Sequence, residues 1–480
     1  MTAHNPVRTG DDELLALTAV EAVARLRDGG LSAERYAGAL VAQCERHRDL
    51  GAFIDFDAER VLTAARDADR QRGRGRRGAL HGLPVAIKDN IDVLGTPTTA
   101  GTPALRGNRP RRHAPVAEAL FEAGALLLGK TNMHELADGI TCNNAAFGAV
   151  RNPYAPALIP GGSSGGTAAA IAARMCPAGL GTDTGGSVRI PAALCGIAGL
   201  RPTSGRYPGA GIVPISHTRD TAGPMARAVA DVALLDAVVT GDDPVLEARP
   251  LAGLRIGVPR RPFYDDLDTE LAAVIGAALA RLQDAGCVLV EADIADLDQL
   301  SAATAGAISY YEQSRDLDAY LRRAGSALTT REIASEIASA DVRAIFATEV
   351  LGAQAITTAD YRAALHVHRP RLQAAYRDHF RRHDLVAIAV PTTPLPARPI
   401  GDDATVQLNG RSVPTFATYL RNTRVMTTAG IPGLSIPAGL TTSGLPVGLE
   451  LDAPAGADRA LLALGVAVEG VLGCLPPPRH

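Results

Sequence analysis

Positions 160 to 193 read PGGSSGGTAAAIAARMCPAGLGTDTGGSVRIPAA, a stretch with two turns of the same kind. Residues Gly161–Ala173 predict a glycine- and serine-rich loop that leads into an alanine-rich helix. Residues Asp183–Cys195 repeat the plan with a glycine-rich turn and a short helix. Both segments therefore predict a glycine-rich turn followed by a helix.

Strands and helices alternate on both sides of this stretch. Apolar runs predict strands at 84–88, 125–128, 254–258, 287–291, 385–390 and 434–437. Helical spacing predicts two opening helices, capped by Thr18 with Glu21 and by Ser32, then helices over 115–123 and 271–282 and a mostly helical stretch over 300–383. This alternation predicts an α/β fold whose sheet is covered by helices on both faces.

Composition and charge narrow the function classes. The 480 residues are 46% hydrophobic and 21% charged, as in an ordinary globular chain. The chain has 48 basic and 51 acidic residues, so its net charge gives no reason to expect nucleic acid or an anionic membrane as a partner. Residues 1–10 lack the apolar core of an export signal, no long apolar run predicts a membrane span, and the 6 cysteines form no CxxC pair. A cytoplasmic protein with free thiols is expected.

Three motifs have weak structural support. Gly124–Thr131 matches the phosphate-binding pattern GxxxxGK[ST], but its variable positions are Ala-Leu-Leu-Leu, which predict a strand rather than a phosphate loop. The arginine-rich run Arg70–Gly78 lacks the interleaved aromatics of an RNA-binding segment and predicts a solvated loop. Four histidines in a basic helical segment could face a metal, although a solvated surface is the simpler explanation: His366, His368, His379 and His383.

A fourth motif offers one choice of nucleophile. Gly161–Gly165 fits GxSxG, which places Ser163 where α/β-hydrolases carry theirs on a strand-to-helix elbow. The preceding segment Tyr154–Pro160 contains two prolines and predicts a poor central strand. The elbow therefore remains an alternative on the residues alone.

The second glycine-rich turn offers another choice. Gly185 and Gly186 let successive N–H groups point into one concavity, which would stabilise an oxyanion beside Ser187. A serine needs a base, and Lys88 ends an apolar strand where it could be desolvated. Its pKa would have to fall from about 10.4 to near 7, which requires about 4 kcal/mol from its environment. A surface lysine is the alternative.

Taken together, these elements resemble the amidase signature family. They are Gly82–Asn90 (GLPVAIKDN), Pro160–Gly166 (PGGSSGG) and Gly181–Ala193 (GTDTGGSVRIPAA), with 75 residues from Lys88 to Ser163 and 24 from Ser163 to Ser187. The resemblance is close over about 83–227 and returns at 429–437 and 444–450. It implies one large α/β/α domain over 1–480 around a central mixed β-sheet, with a helical substrate region over about 300–383.

The resemblance also implies roles for single residues. Ser187 would be the nucleophile of a Ser–Ser–Lys triad, with Ser163 as the proton relay after a cis peptide bond and neutral Lys88 as the base. The N–H groups of Thr184, Gly185, Gly186 and Ser187 would form the oxyanion hole. Three supporting residues would hold this core by hydrogen bonds: Ser164, Asp183 and Arg189. Two further residues, Met133 and Gly162, would contact the substrate. No metal or cofactor is needed.

Two stretches, 133–147 and 213–224, resemble the family members that hydrolyse mandelamide and indoleacetamide. They imply a hydrolase of small arylacetamide-type amides that works through an acyl-enzyme, with anilides, esters and carbamates as further substrates. Urethane hydrolysis as the main activity is one alternative. Another is the A-type subunit of a glutamine-dependent amidotransferase, which Ile190 disfavours because those subunits usually carry glutamine there. Asp138 departs from the apolar residue expected in an aryl pocket. The resemblance also allows a homodimer.

Overall fold

The fold was analysed in a computed structural model that describes residues 10–75, 77–247 and 249–478. The strands, β1 to β15, are Phe53–Phe56, Pro84–Lys88, Leu126–Thr131, Asn143–Asn144, Gly148–Ala149, Ala178–Asp183, Ala198–Arg201, Thr221–Ala226, Arg255–Gly257, Val288–Val290, Ala387–Pro391, Thr405–Leu408, Arg411–Pro414, Gly433–Leu440 and Pro446–Asp452. Almost all of residues 1–10, on which the expectation of no export signal rests, lie outside the described residues.

The α-helices, α1 to α18, are Gly10–Ala16, Ala19–Asp28, Ala33–Arg46, Ala58–Gly73, Pro115–Glu122, Gly165–Ala172, Arg189–Cys195, Val229–Thr240, Thr269–Asp284, Leu297–Ala302, Ala305–Ala324, Thr330–Glu336, Ala340–Ile345, Thr358–Ala363, Arg369–His383, Thr415–Leu420, Arg424–Ala429 and Asp458–Leu472. Two π-helical turns, Phe346–Val350 and Ala364–His368, join helices in the predicted helical region. Within the described ranges, no helix has both the length and the apolar character needed to cross a bilayer.

Eleven strands form one mixed sheet in the order β1-β3-β2-β6-β8-β7-β14-β15-β11-β9-β10. Parallel pairs join β3, β2 and β6 on one side and β11, β9 and β10 on the other, and antiparallel pairs join the strands between them. Every residue of β2, β6, β8 and β15 is buried. Because successive side chains of a strand point to opposite faces, helices must cover both faces of the sheet, as predicted.

The predicted helix starts at the N-terminus are confirmed. Thr18 and Glu21 form a reciprocal capping box ahead of α2, and Ser32 accepts a hydrogen bond from the first turn of α3. The expected loop over 70–78 is partly wrong, because α4 continues to Gly73. Position 76 in that loop is not among the described residues. Helices α1, α8 and α18 were not anticipated.

The phosphate-loop motif lies inside the sheet. The expected strand over 125–128 begins and ends later, as β3, so Gly129, Lys130 and Thr131 are strand residues rather than loop residues. The Lys130 ammonium is fully buried, lies 3.2 Å from Asp89 and donates to the Pro97 carbonyl. This segment therefore has a structural role, which agrees with the sequence-based rejection of nucleotide binding.

Candidate active site

Lys88 is the last residue of β2 and is held between β3 and β6. Its side chain is fully buried, and its Nζ donates hydrogen bonds to Ser163 Oγ at 2.7 Å and to Thr182 Oγ1 at 2.8 Å. Burial, which disfavours the ammonium form, lowers the pKa of Lys88 to about 7. A large fraction of this amine is therefore neutral at physiological pH.

Ser163 lies in the loop that leads into α6. The Gly162–Ser163 peptide bond is cis. The neighbouring Ser164 fixes the loop to β6, because its Oγ donates to the Thr182 carbonyl and accepts from the Thr182 N–H, both at 3.2 Å. Residues 154–160, all of which are described, form no named strand ahead of Ser163. The elbow interpretation lacks the strand it requires.

The second turn, Thr184–Ser187, connects β6 to α7. Gly186 has a φ of +149°, a conformation that other residues rarely adopt, and a Cβ added there would lie 2.3 Å from Thr423 Oγ1. Within the described parts of the chain, no acceptor takes a hydrogen bond from the N–H groups of Gly185, Gly186 or Ser187. These donors remain available for a negatively charged oxygen.

The two turns are in direct contact, since the Ser164 N–H donates to the Ser187 carbonyl at 3.1 Å. Ser187 is 7% exposed and lines a cavity. The structure thus brings the amine of Lys88, the Ser163 hydroxyl and the turn that carries Ser187 into one neighbourhood. Whether the two hydroxyls exchange a proton stays a prediction.

A buried ion pair supports the second turn. Arg189 donates from Nε and Nη2 to the two oxygens of Asp183, each at 3.1 Å, and the Val188 N–H also donates to Asp183. Burial alone would raise the pKa of Asp183, but the guanidinium groups of Arg189 and Arg201 outweigh it and hold that pKa below its ordinary value. The carboxylate therefore stays charged and orders the first turn of α7.

Arg189 also joins distant strands. Its Nη1 contacts the buried carboxylate of Glu450 on β15, and its Nη2 donates to Thr427 Oγ1 of α17 at 2.7 Å. Such a guanidinium, fully buried with several acceptors around it, fixes the relative positions of the elements it contacts.

A cleft lies in front of Ser187. Thr184, Gly185 and Ser187 form its reactive side. Its apolar lining consists of Ala137, Ile140, Ile215, Phe416 and Leu420, and its remaining polar lining includes Asp138, Arg219, Ser309, Tyr310 and Arg424. Of the lining residues outside the reactive side, only Asp138 was named from the sequence, since no recognisable spacing connects the others.

The two predicted substrate contacts do not line this cavity. Met133 is fully buried and packs behind the wall, against Ala137 and Ile215. A Cβ added to Gly162 would lie 3.0 Å from the Ile140 backbone, so the glycine is needed for close packing. Direct contact of either residue with substrate stays a prediction.

Asp138, by contrast, does face the cavity. It is 5% exposed, and its Oδ2 accepts a hydrogen bond from Gln313 Nε2 at 3.0 Å. Burial raises the pKa of Asp138 to about 6, although the Gln313 hydrogen bond opposes this shift. The departure seen in the sequence is therefore a real polar group in the pocket wall, charged above about pH 6.

Metal ligation has little support in the described ranges. The rings of His379 and His383 are 4.9 Å apart, but these histidines belong to no cluster of three ligands. The one such cluster among the described residues is His217, Glu312 and Asp316. Its Glu312 carboxylate already accepts hydrogen bonds from Ser216, Thr218 and Tyr361, which indicates a structural role.

Comparison with known proteins gives concordant results. A family model described as "Amidase" matches residues 37–462. The chain is 47% identical over 445 residues to an indoleacetamide hydrolase of Agrobacterium vitis, covering 93% of this chain and 95% of that protein. It is 38% identical to a mandelamide hydrolase of Pseudomonas putida, covering 97% and 94%. A crystal structure of an amidase superposes with a TM-score of 0.85 at 32% identity, covering 95% of this chain and all of the other.

Proposed function

Since this chain belongs to the amidase family and is an amidohydrolase, we propose that it hydrolyses primary amides of arylacetic-type acids through an acyl-enzyme. The observation that carries the proposal is the 2.7 Å hydrogen bond between Lys88, whose pKa is lowered to about 7, and Ser163, beside the turn that bears Ser187. The apolar side chains of Ile140, Phe416 and Leu420 form a cavity suited to an aromatic acyl group. The relatives named for indoleacetamide and mandelamide act on amides of this kind.

In the proposed reaction, Ser187 Oγ attacks the amide carbonyl as its proton passes to Ser163, whose own proton passes to Lys88. The N–H groups of residues 184–187 bind the negative oxygen of the tetrahedral intermediate. The proton returns along the same path to the leaving nitrogen, so that ammonia departs and an ester to Ser187 remains. Water then attacks this ester by the same route, releasing the carboxylic acid and regenerating the free hydroxyl.

The leaving group is a separate question from the nucleophile. Acyl transfer of this kind also cleaves anilides, esters and aryl carbamates when the cleft admits them. We propose primary amides as the main class because both named relatives are amide hydrolases. Urethane hydrolysis is a secondary activity on this proposal.

A fluorophosphonate probe tests the nucleophile. The purified protein is labelled and the modified peptide is mapped by mass spectrometry. A label on Ser187 that is lost in Lys88→Ala supports the proposal, whereas a label on Ser163 would restore the elbow interpretation.

A substrate panel then tests the reaction. Phenylacetamide, indoleacetamide and mandelamide should release ammonia faster than p-nitroanilides or aryl carbamates. Faster release from carbamates would make urethane hydrolysis the main activity. Dependence on glutamine and a partner protein would instead support the amidotransferase subunit.

A further inference from the structure

One end of the cavity contains two arginine side chains with unused hydrogen-bond donors. Arg424, at the start of α17, lines the cavity, and within the described residues no acceptor takes a hydrogen bond from its guanidinium. Arg219 uses its Nη1 on the Ala305 carbonyl at 2.8 Å and on Ser309. Its Nη2 has no described acceptor and lies 4.0 Å from the Cβ position of Gly185, beside the reactive turn.

The helix that forms this wall leaves room for Arg424. Gly306 lies in the first turn of α11, and a Cβ there would lie 3.2 Å from Arg424 Nη2. A glycine inside a helix lowers the stability of the helix by about 1 kcal/mol relative to alanine. Here it lets the guanidinium rest directly on the helix while its donors face the cavity.

Opposite charges are separated along the same helix face. Gly306, Ser309, Tyr310 and Gln313 share one face because they are three, four and seven positions apart. Arg424 lies beside Gly306, Arg219 contacts Ser309, and Asp138 binds Gln313. Seven residues of helix span about 10 Å. In the described part of the chain, no ion pair within 4.0 Å joins Asp138 or another carboxylate to Arg219 or Arg424, so neither guanidinium has a counter-ion in direct contact.

We propose that Arg424, assisted by Arg219, binds a carboxylate on the acyl part of the substrate, so that the preferred amide is an arylacetamide whose ring bears an acidic group. A guanidinium in a largely dehydrated cleft gains most from a planar anion that accepts two parallel hydrogen bonds. The apolar side chains of Ile140, Phe416 and Leu420 would cover the ring between this carboxylate and the scissile carbonyl. The inference rests on the proposed function, because it identifies the acyl group that this function would act on.

The test measures binding without turnover. In a Ser187→Ala background, calorimetry compares (4-carboxyphenyl)acetamide with (3-carboxyphenyl)acetamide and neutral phenylacetamide. One of the two acids should bind at least about tenfold more tightly than phenylacetamide, since hydrogen bonds to charged groups contribute more than neutral ones. Arg424→Met should remove about tenfold to hundredfold of that affinity and leave phenylacetamide nearly unchanged. Arg424→Lys, which keeps the charge but loses the planar fork, should be intermediate.

Arg315→Met is the matched control, because it removes an exposed guanidinium of α11 that contacts Tyr311 rather than the cavity. Equal losses for acidic and neutral amides in Arg424→Met would overturn the proposal, as would tighter binding of phenylacetamide to the parent. Thermal unfolding of each variant separates loss of binding from loss of fold. If native enzyme hydrolyses phenylacetamide without any preference for the acids, this inference fails alone. If the acids bind but no amide is hydrolysed, the proposed function fails.

Discussion

Lys88 Nζ lies 2.7 Å from Ser163 Oγ, in a contact between residues 75 positions apart that are both shielded from solvent. An ammonium group in that place would be poorly solvated, and this is why the pKa of the lysine falls to about 7. The contact therefore joins a partly neutral amine to a hydroxyl, as the proposed proton relay requires.

The pH dependence should follow this amine. A base acts in its neutral form, and the neutral fraction of Lys88 grows as pH rises through its pKa of about 7. We expect kcat/KM for phenylacetamide to increase through that region and to level off at higher pH. Initial rates between about pH 5 and 10 at constant ionic strength measure it. A rate that is flat from about pH 6 to 9 would exclude Lys88 as the titrating base.

Removal of any one of the three reactive groups should nearly abolish hydrolysis. We expect Lys88→Ala, Ser163→Ala and Ser187→Ala each to lower kcat by about 10³-fold or more, because groups that act as a unit fail together. Ser335→Ala, at an exposed helix position, is the control and should keep full activity. Ammonia release is the readout. Near-normal turnover by Ser163→Ala would show that Ser163 does not relay the proton.

Two adjacent glycines should respond differently to the same substitution. Gly186→Ala forces a side chain into a strained backbone conformation and against Thr423, so we expect a loss of about 2 kcal/mol or more in unfolding free energy. Gly185→Ala would bring its Cβ 3.2 Å from Leu420 Cδ2, a flexible chain end that can move, and 4.0 Å from Arg219 Nη2, an ordinary contact, so its loss of stability should be smaller. Chemical denaturation compares the two. Equal stability of both variants would contradict the described turn geometry.

Asp138 should slow the hydrolysis of neutral aryl substrates only at a pH at which its carboxylate is charged. Its pKa of about 6 means that the carboxylate is ionised above that pH and protonated below it. We expect Asp138→Asn, which can still accept from Gln313, to hydrolyse phenylacetamide several-fold faster than the native enzyme at about pH 8. The ratio of the two rates should approach one below about pH 6, because the native carboxyl is then neutral as well. A ratio independent of pH would show that this charge does not reach the acyl group.

The pattern of the sequence predicts six of the eleven sheet strands and both serine-bearing turns, because glycines and apolar runs report local conformation directly. The strands that it misses are β1, β6, β7, β8 and β15. The end of β3 was missed since Gly129, Lys130 and Thr131 carry no strand signal; Lys130 is tolerated there because Asp89 and the Pro97 carbonyl accept its donors. Likewise, the burial of Lys88 depends on β3 and β6, which come later in the chain.

The individual residues of the cavity wall could not be predicted for the same reason. Arg219, Tyr310 and Arg424 come from three separate segments that meet only after the sheet has formed. Arg424 begins the mixed polar and apolar segment Arg424–Ala429, which reads RVMTTA. Nothing in the local pattern distinguishes it from an exposed arginine at a helix start.

The Arg189–Glu450 contact has a consequence for the timing of synthesis. The two residues are 261 positions apart, and the carboxylate on β15 is the second one, after Asp183, that contacts the guanidinium beside the reactive turn. While a ribosome is still making the chain, Lys88, Ser163 and Ser187 can already have emerged before Glu450 is present to contact Arg189. A nascent protein is therefore expected to stay catalytically silent until residue 450 has been added and its strand has joined the sheet.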